Sequence, residues 1–485
     1  MFLSLGFSLL AGCDLAPVYD PPHFILPDSY QGSGPFRVAN PDEALSPRAD
    51  WWTLFGDAQL NQLEDQLNRA NPTLAAAADA YAQARSLAAE AQSKMSPQVG
   101  ANAGVSENKE SVNRLFRSPT SRAPLREASN QFGAAASWEP DFWHALGNRA
   151  HAQKRLAQAS AADLATARLS LQAELATDYI AVRGLDAQLA VLRQSITSYQ
   201  AAVEVTRLRT VGKIASGLDL ARSLSQLDSA QAQETEIGLQ RDLMQHAVAV
   251  LIGAMPSTFS IAPVGEFRLT APRLPAGVPS ELLQRRPDIA SAERQMAAAN
   301  ASIGVSRAAF YPNVTFNLAG GFQDSGFNLL SLPNSLWSVG AGAVMPLFDG
   351  GLRRAQLRHS WAQYAQTRDD YRATVLAAFQ EVEDSLSQTQ RLATEGSQEN
   401  EASDQAAQAL SISTMLYKDG LDNYLSVSVA QVQALATQLT GVQIRIRQIQ
   451  AGVSLIRALG GGWTVQALPD EKQTLQFTQA DYGAK

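Results

Sequence analysis

The sequence predicts a membrane protein of α+β class, in which four β-strands of each chain join those of other copies and continue into long helices. Two long proline-free stretches carry apolar residues at coiled-coil spacing, and four shorter stretches of about ten residues alternate between apolar residues and small or polar ones. The same order of elements occurs twice along the 485 residues.

The proline-free stretches lie between Pro140 and Pro256 and between Pro346 and Pro469. Proline costs about 3 kcal/mol inside a helix, so long runs without it that are rich in Ala, Leu, Gln, Glu and Arg predict helices. Glycines interrupt each stretch, near Gly212 and Gly420, and divide it into two helices joined by a turn.

Apolar residues in these stretches alternate at spacings of three and four, which is the pattern of a left-handed coiled coil. The second stretch has Val432, Leu435, Leu439, Val442, Ile446, Ile449, Val453 and Ile456 at such positions. The first stretch has the same apolar spacing, and Asp178 is the polar residue within that pattern. A helix from about His144 to Arg209 would be about 100 Å long. A heptad pattern alone is equally typical of a soluble filament or tether. The segments that flank the helices must therefore distinguish these classes of protein from a membrane protein.

Composition argues against several function classes. Charged residues make up 18% of the chain and the net charge is −7, which disfavours a nucleic-acid partner. No apolar run is long enough for a transmembrane helix. The five histidines are scattered, and no metalloprotease, nucleophile-elbow or phosphate-loop motif occurs. The sequence therefore predicts a protein that is not an enzyme and needs no metal or soluble cofactor.

Residues 1–12 are predicted to be a signal peptide, because an almost wholly apolar segment ends in small residues. Leu10-Ala11-Gly12-Cys13 resembles the bacterial lipobox, which implies that Cys13 carries the lipid, palmitate included. No Lys or Arg precedes the apolar run, and the alternative is a free buried cysteine in a cytoplasmic chain. Asp14 resembles the inner-membrane retention signal of enterobacterial lipoproteins, so the destination membrane stays open at this point.

Seven prolines in residues 14–50 predict that segment 13–50 is an extended arm. The first repeat spans 51–255, with short helices, a β-hairpin at about 98–139 and long helices at about 144–253. A proline-rich linker, 256–279, separates it from the second repeat, 280–462. That repeat contains a helix at 287–310, a hairpin at about 313–346 and long helices at about 351–459. Residues 463–485 form a polar tail.

Corresponding landmarks of the two repeats keep a nearly fixed separation, which indicates an internal duplication. Pro97 and Pro312 are 215 residues apart, and Gly212 and Gly420 are 208 apart. The four strands have the length and alternation of membrane β-strands. Four strands cannot close a barrel, and an open sheet edge is not tolerated in lipid, so several copies must associate. Three copies would give twelve strands, with the helices forming a coaxial tube. The alternative is a small β-sandwich on a coiled-coil stalk, as in some adhesins.

Several motifs identify a family. Leu282-Leu283-Gln284-Arg285-Arg286-Pro287-Asp288-Ile289, Ala308-Ala309-Phe310-Tyr311-Pro312, Pro346-Leu347-Phe348-Asp349-Gly350-Gly351 and Tyr417-Lys418-Asp419-Gly420 occur in order. They resemble the signatures of outer-membrane efflux factors of the OprM/NodT branch of the TolC-like channels, and the resemblance covers nearly the whole chain. It implies a homotrimer in the outer membrane, with a twelve-stranded barrel and a helical tunnel reaching into the periplasm. It also implies a periplasmic adaptor and an inner-membrane resistance-nodulation-division pump as partners, with drug or solvent efflux as the activity. Type I protein secretion through the same kind of tube is the alternative.

The resemblance places a gate at the two periplasmic turns, predicted at 212–219 and 420–429. Family members carry an Asp ring preceded by Leu in the second turn; Leu425 matches the Leu, but Val429 stands at the Asp position, which predicts a partly apolar gate. Asp219 and Asp422 remain as nearby charges. In the TolC branch an Asp–Tyr pair holds the tip shut, and the matching residues are Asp219 and Tyr417; the alternative is that both only cap or pack the turn.

The adaptor is expected to contact the same two turns. The predicted contact residues are Arg207, Thr210, Val211, Gly212, Tyr417, Lys418 and Gly420. Arg285-Arg286-Pro287-Asp288 has the charge of a site, but we interpret it as structural, because proline and aspartate both favour a helix N-terminus.

Overall fold

The computed structural model describes residues 14–25, 30, 49–109, 111, 126–265, 269–270 and 279–477. The signal peptide, Cys13 and the end of the tail therefore lie outside the described residues. Within the described ranges, no helix is both long enough and apolar enough to cross a membrane.

The first repeat begins with a 3-10 helix at Trp51–Phe55. Its other elements are α1 (Ala58–Ala70), α2 (Pro72–Ser93), β1 (Gln98–Lys109), β2 (Arg126–Trp138), α3 (Ala145–Val211) and α4 (Gly217–Leu251). The second repeat comprises α5 (Pro279–Arg285), α6 (Pro287–Ala308), β3 (Asn313–Asp324), β4 (Ser335–Val344), α7 (Leu352–Lys418) and α8 (Tyr424–Ala458), with a short α9 (Glu471–Thr474) after it.

The two repeats match in length as well as in order. Helices α3 and α7 each have 67 residues, and α4 and α8 each have 35. At 1.5 Å per residue the longer helices measure about 100 Å, as the sequence predicted. The internal duplication is thus present in the structure, with one hairpin of two long helices in each repeat.

The strands form one antiparallel sheet in the order β1-β2-β3-β4. The pairing places Ala136 opposite both Val99 and Leu318, and Leu318 opposite Val339. Since side chains alternate along a strand, this register collects most of the apolar residues of the four strands on one face. The other face consists largely of small or uncharged residues, among them Gly100, Asn102, Gly104, Gln131, Gly133, Ala135, Asn317, Ala319, Gly321, Ser338 and Gly340.

Strands β1 and β4 lie at the edges of this sheet, so each has one unpaired side within the described chain. An open sheet edge is not tolerated in lipid, so these edges must pair with strands of other copies, and three copies would give the twelve-stranded barrel expected from the sequence, with the apolar face toward lipid. The charged residues of the four strands are Glu107, Lys109, Arg126, Glu127 and Asp324, all at the end away from the long helices. At the opposite end Trp138 stacks on Phe316, with ring centroids 6.1 Å apart, as aromatic side chains do at a membrane boundary.

The core lies where the two repeats meet, midway along the long helices. One cluster contains Trp51, the buried leucines of α1, the middle of α3, and Ile449 and Val453 of α8. A second cluster joins α6 and α7 to the last turns of α8. The middle of the first seam and the last turns of the second are therefore buried between the hairpins.

A buried ionic network fixes the inter-repeat linker to the long helices. Asp186 of α3 accepts a bond from Arg241 Nε of α4 at 2.5 Å and pairs with Arg183 at 3.2 Å. The two arginines in turn donate to the backbone carbonyls of Ala262 and Ile261, both at 2.7 Å. Every charge in the network therefore has a partner, which offsets the cost of removing it from water.

The Arg-Arg-Pro-Asp motif is structural, as interpreted from the sequence. Buried Arg286 forms a bidentate pair with Asp288, the shorter contact being 2.6 Å. It also reaches Glu381 of α7 at 2.8 Å and the Ala458 carbonyl of α8 at 3.1 Å. The motif thus joins the start of α6 to both long helices of the second repeat.

The polar tail is docked along the part that the structure describes. Glu471 pairs with Arg155 of α3 at 3.1 Å and with His151 at 3.2 Å. Arg85 of α2 lies 4.7 Å from the ring centroid of Phe477. Residues 463–477 therefore pack on the outside of the first repeat, a role that composition alone did not indicate.

Candidate functional site

The ends of the two long hairpins, far from the sheet, form the candidate site. The first turn spans residues 212–216 and the second spans 419–423. In each turn a backbone amide returns to a carbonyl five residues earlier, from Ile214 to Arg209 at 2.8 Å and from Leu421 to Leu416 at 2.9 Å. The duplication therefore extends to the turn geometry.

The turns are shorter than predicted. Ser216 and Asn423 cap the following helices, so those helices begin at residues 217 and 424. Asp219, Leu425 and Val429 consequently lie in helices, not in the turns. Sequence periodicity could not locate these caps, because the capping side chain is a short polar residue inside an already polar segment.

The left-handed residue of the first turn is not a glycine. It is Lys213, with φ of 60°, whereas Gly212 keeps right-handed geometry. In the second turn Gly420 occupies the equivalent conformation, with φ of 77°. Glycine adopts this conformation without the steric penalty that a side chain incurs, so the first turn carries strain that the second avoids.

Asp219 and Tyr417 are not paired within one protomer, among the contacts of the described residues. Asp219 forms a capping box with Ser216, accepting a bond from its hydroxyl at 2.8 Å. Tyr417 is buried, and its hydroxyl lies 3.3 Å from the Thr206 hydroxyl. Within the protomer, therefore, Asp219 caps its helix and Tyr417 packs against the first hairpin. This is the alternative that was stated for these two residues.

Arg209 joins the two hairpins at this end. Its guanidinium donates to the carbonyl of Tyr417 at 2.7 Å and to that of Lys418 at 2.8 Å. It also lies 4.5 Å from the centroid of the Tyr417 ring. These carbonyls are the last of α7, where a cation complements the carbonyl oxygens of the final turn and the helix dipole. Arg209 of the first repeat is thus the C-terminal cap of a helix in the second.

Two more tyrosines complete the contact between the hairpins. Tyr199 of α3 donates to the Gln431 carbonyl of α8 at 3.2 Å, and Tyr424 lies 3.4 Å from the Gln431 side-chain oxygen. Burial, with smaller contributions from Tyr417, Tyr199 and Asp219, raises the pKa of Tyr424 to about 12. The hydroxyl therefore stays protonated and available as a donor. A cavity of about 410 Å³ lies beside these tyrosines, between α3, α7 and α8.

The outward face of α8 carries a short apolar stripe. Leu425 is 46% exposed, Val429 61% and Val432 54%, at spacings of four and three residues. The opposite face of the same turns buries Tyr424 and Val427 against the first hairpin. The two residues predicted for the gate, Leu425 and Val429, are therefore brought together on one face. Asp422 lies in the turn that precedes them.

The predicted adaptor contacts divide into two groups. Arg207, Val211, Gly212, Lys418 and Gly420 are exposed, and Thr210 is half-buried. Tyr417, which was included from the sequence, is buried against the first hairpin, so it has no free surface for direct contact. Reasoning from the motif alone could not separate it from Lys418, because both belong to the same matched segment.

Sequence reasoning missed Arg209, Thr206 and Gln431. Their function depends on contact between two hairpins that are more than 200 residues apart in the chain. The one available signal was Tyr199, a hydroxyl-bearing residue at an otherwise apolar seam position close to the turn. Elsewhere in the described residues, no group of three or more His, Cys, Asp or Glu side chains is arranged to hold a metal ion.

Comparison with known proteins assigns this architecture to a family. The model of the outer membrane efflux protein family matches residues 63–254 and 278–461, which are the two repeats. The pyoverdine export outer membrane protein OpmQ of Pseudomonas aeruginosa is 31% identical over 421 residues, 85% of this chain and 87% of OpmQ. Outer membrane protein OprJ of the same organism is 29% identical, covering 94% of each chain.

Solved structures agree with the sequence comparison. The outer-membrane channel OprN superimposes with a TM-score of 0.86 at 25% identity, covering 93% of this chain and all of OprN. The match to both repeats excludes the β-sandwich and filament alternatives. The chain belongs to the outer membrane efflux protein family.

Proposed function

We propose that three copies of this chain form the outer-membrane exit duct of a tripartite efflux pump, closed at its periplasmic end by the two hairpin tips. The observation that carries the proposal is the four-stranded sheet, which continues directly into helices of 67 residues. One face of the sheet is largely apolar, the other is largely small and polar, and all charged strand residues lie at the end away from the helices. Such a sheet and such helices can form the wall of a passage. Family membership favours efflux over the protein-secretion and structural-lipoprotein alternatives.

The gate is proposed to lie at the tip, with Leu425 and Val429 as its narrowing residues. Their exposed, neighbouring positions on α8 support a ring of apolar side chains when three copies surround one axis. An apolar constriction resists passage by excluding water from the pore. Asp219 and Asp422 contribute charge close by, and Arg209 holds the second hairpin against the first.

The partners are proposed to be a periplasmic adaptor, bound at the exposed turn residues Thr210, Val211, Gly212, Lys418 and Gly420, and an inner-membrane pump of the resistance-nodulation-division class. Two relatives support export of small molecules, since their names record pyoverdine in one case and toluene in another. The anchor is proposed to be a lipid on Cys13, which lies outside the described residues. It would add outer-membrane attachment to that of the barrel.

Single-channel recording in planar bilayers tests the duct and its gate. Purified wild type should form trimers with rare, small openings, and Val429→Asp and Asp219→Ala should each change the current through the tip. Monomeric protein without conductance in any variant would return the chain to a purely structural role.

Crosslinking to the adaptor tests the docking turns separately. Gly212→Trp and Gly420→Trp place a large side chain on each exposed turn and should abolish both crosslinking and export. Gly238→Trp is the matched control, because Gly238 lies on α4 with open space around it. Unchanged crosslinking in both turn variants would place the adaptor elsewhere.

A further inference from the structure

The N-terminal arm follows a defined path along the second repeat. The Tyr19 hydroxyl donates to Glu293 Oε1 of α6 at 2.6 Å. The Phe24 ring meets Tyr371 of α7 edge-on, with centroids 5.6 Å apart. Further along, Tyr30 lies 6.4 Å from Phe379 of the same helix. The arm therefore runs toward the sheet as the residue number falls, in the groove between α6 and α7.

Helix α6 binds residues 15–17 of the arm through their backbone carbonyls. Arg307 donates to the Leu15 carbonyl at 3.1 Å, and Asn300 donates to the Pro17 carbonyl at 2.9 Å. Asn300 is itself almost fully buried. Bonds to carbonyls two residues apart hold an extended peptide, the conformation that the prolines of the arm also favour.

Asp14 is held by the other repeat. Its Oδ1 accepts one bond from the side chain of Asn148 on α3 and one from the Ala16 amide, both at 2.9 Å. Asn148 is buried and lies in the first turn of α3, directly after the end of the sheet. Arm, α3 and α6 therefore meet at the junction between the strands and the long helices.

Gly304 of α6 makes room for this meeting. A Cβ atom at Gly304 would lie 2.5 Å from the Asn148 amide nitrogen and 2.9 Å from both the Cβ and the N of Ala16. Contacts this short require either the arm or Asn148 to move. Because glycine has no side chain, α6 leaves space at Gly304, and the arm fills that space.

We propose that α3 and α6 form a docking site for the chain's own residues 14–19, in which Asp14 is a positioning residue that fixes the start of the arm at the sheet–helix junction. Because Cys13 is bonded to Asp14, this site also fixes the point from which a lipid on Cys13 must start; that purpose rests on the anchor proposed above. Asp14 then has a structural partner, which accounts for an aspartate after the cysteine without a sorting role.

Cleavage by chymotrypsin tests the docking site on detergent-solubilised, full-length trimers. The enzyme cuts after Tyr19 and Phe24 only when the arm leaves its groove, and mass spectrometry of the fragments gives the rate. Gly304→Ala and Asn148→Ala should each raise the rate of cutting after Tyr19 by about tenfold. The added Cβ in the first variant displaces the arm or Asn148, and the second variant loses the bond to Asp14. Gly238→Ala is the matched control for the glycine change and should cut at the wild-type rate.

Conservative substitution separates positioning from charge. Asp14→Asn keeps the Oδ1 acceptor and should protect the arm as wild type does, whereas Asp14→Ala should be cut as fast as Asn148→Ala. Equal rates in wild type, Gly304→Ala and Asn148→Ala would overturn the docking site. Fast cutting of Asp14→Asn would overturn the positioning role. An arm that is protected but carries no acyl group on Cys13 would support the docking site and refute the anchor.

Discussion

Removing Arg209 should open the tip. Its guanidinium makes two charge-assisted bonds to the end of α7 and stacks on the Tyr417 ring. One bond is exposed to solvent, so we assign the whole contact about 2 kcal/mol per protomer. If three tips open together, Arg209→Ala shifts the closed-to-open equilibrium by about 6 kcal/mol, on the order of 10⁴-fold.

The assay is the open probability of single trimers in planar bilayers at neutral pH. Arg207→Ala is the matched control, because Arg207 is exposed and its nearest acidic atom, Glu204 Oε2, is 4.0 Å away. Arg209→Ala should be open for much of the recording, while Arg207→Ala should resemble wild type. Equal open probability in the two variants would show that Arg209 does not hold the tip and that the contact is incidental to gating.

Three further predictions concern charge, strain and pH. Val429→Asp should add cation preference to the pore, measured as a changed reversal potential in a salt gradient, whereas an unchanged potential would place residue 429 outside the passage. Lys213→Gly should raise trimer stability by about 1 kcal/mol, because glycine relieves the left-handed conformation, and an unchanged melting temperature would contradict the strain. Glu64 is 0% exposed, and neither oxygen of its carboxyl group has a hydrogen-bond partner among the described atoms, so burial raises the pKa of this carboxyl to about 9. The folded state then retains a proton that the unfolded state loses above pH 4.5, so stability falls as pH rises from about 4.5 to 9; Glu64→Gln should be about 3 kcal/mol more stable than wild type at pH 7 and equal to it at pH 4.5. Thermal melting of the trimer at the two pH values measures this, and parallel pH profiles would refute it.

The sequence predicted the architecture because its signals are local and repeated. Alternation in residues 98–139 and 313–346 sets strand faces, and the observed register places those faces as expected. Long proline-free runs set helix lengths, and Pro72 and Pro287 begin helices as their fixed φ favours. These properties depend on neighbours in the chain, so a single sequence contains them.

The site was predicted less completely. The position of the tip was found, but the Arg209 clamp, the Asn148–Asp14 contact and the docking of residues 463–477 were not. Each depends on side chains that meet only after the two repeats pack together, and their residue types also occur on solvated faces. For Asp219 the sequence analysis predicted a long-range pairing with Tyr417. In the protomer, its side chain instead forms a local helix cap with Ser216.

The equal lengths of the paired helices have a consequence for symmetry. Three chains with two matching hairpins each give a wall of six nearly equivalent hairpins, so the tube approaches six-fold symmetry in shape. Its chemistry remains three-fold, because one tip presents Arg207 and Lys213 while the other presents Asp419 and Asp422. A ring of identical partner subunits that followed the shape would therefore meet two alternating kinds of contact, and each subunit would have to tolerate both.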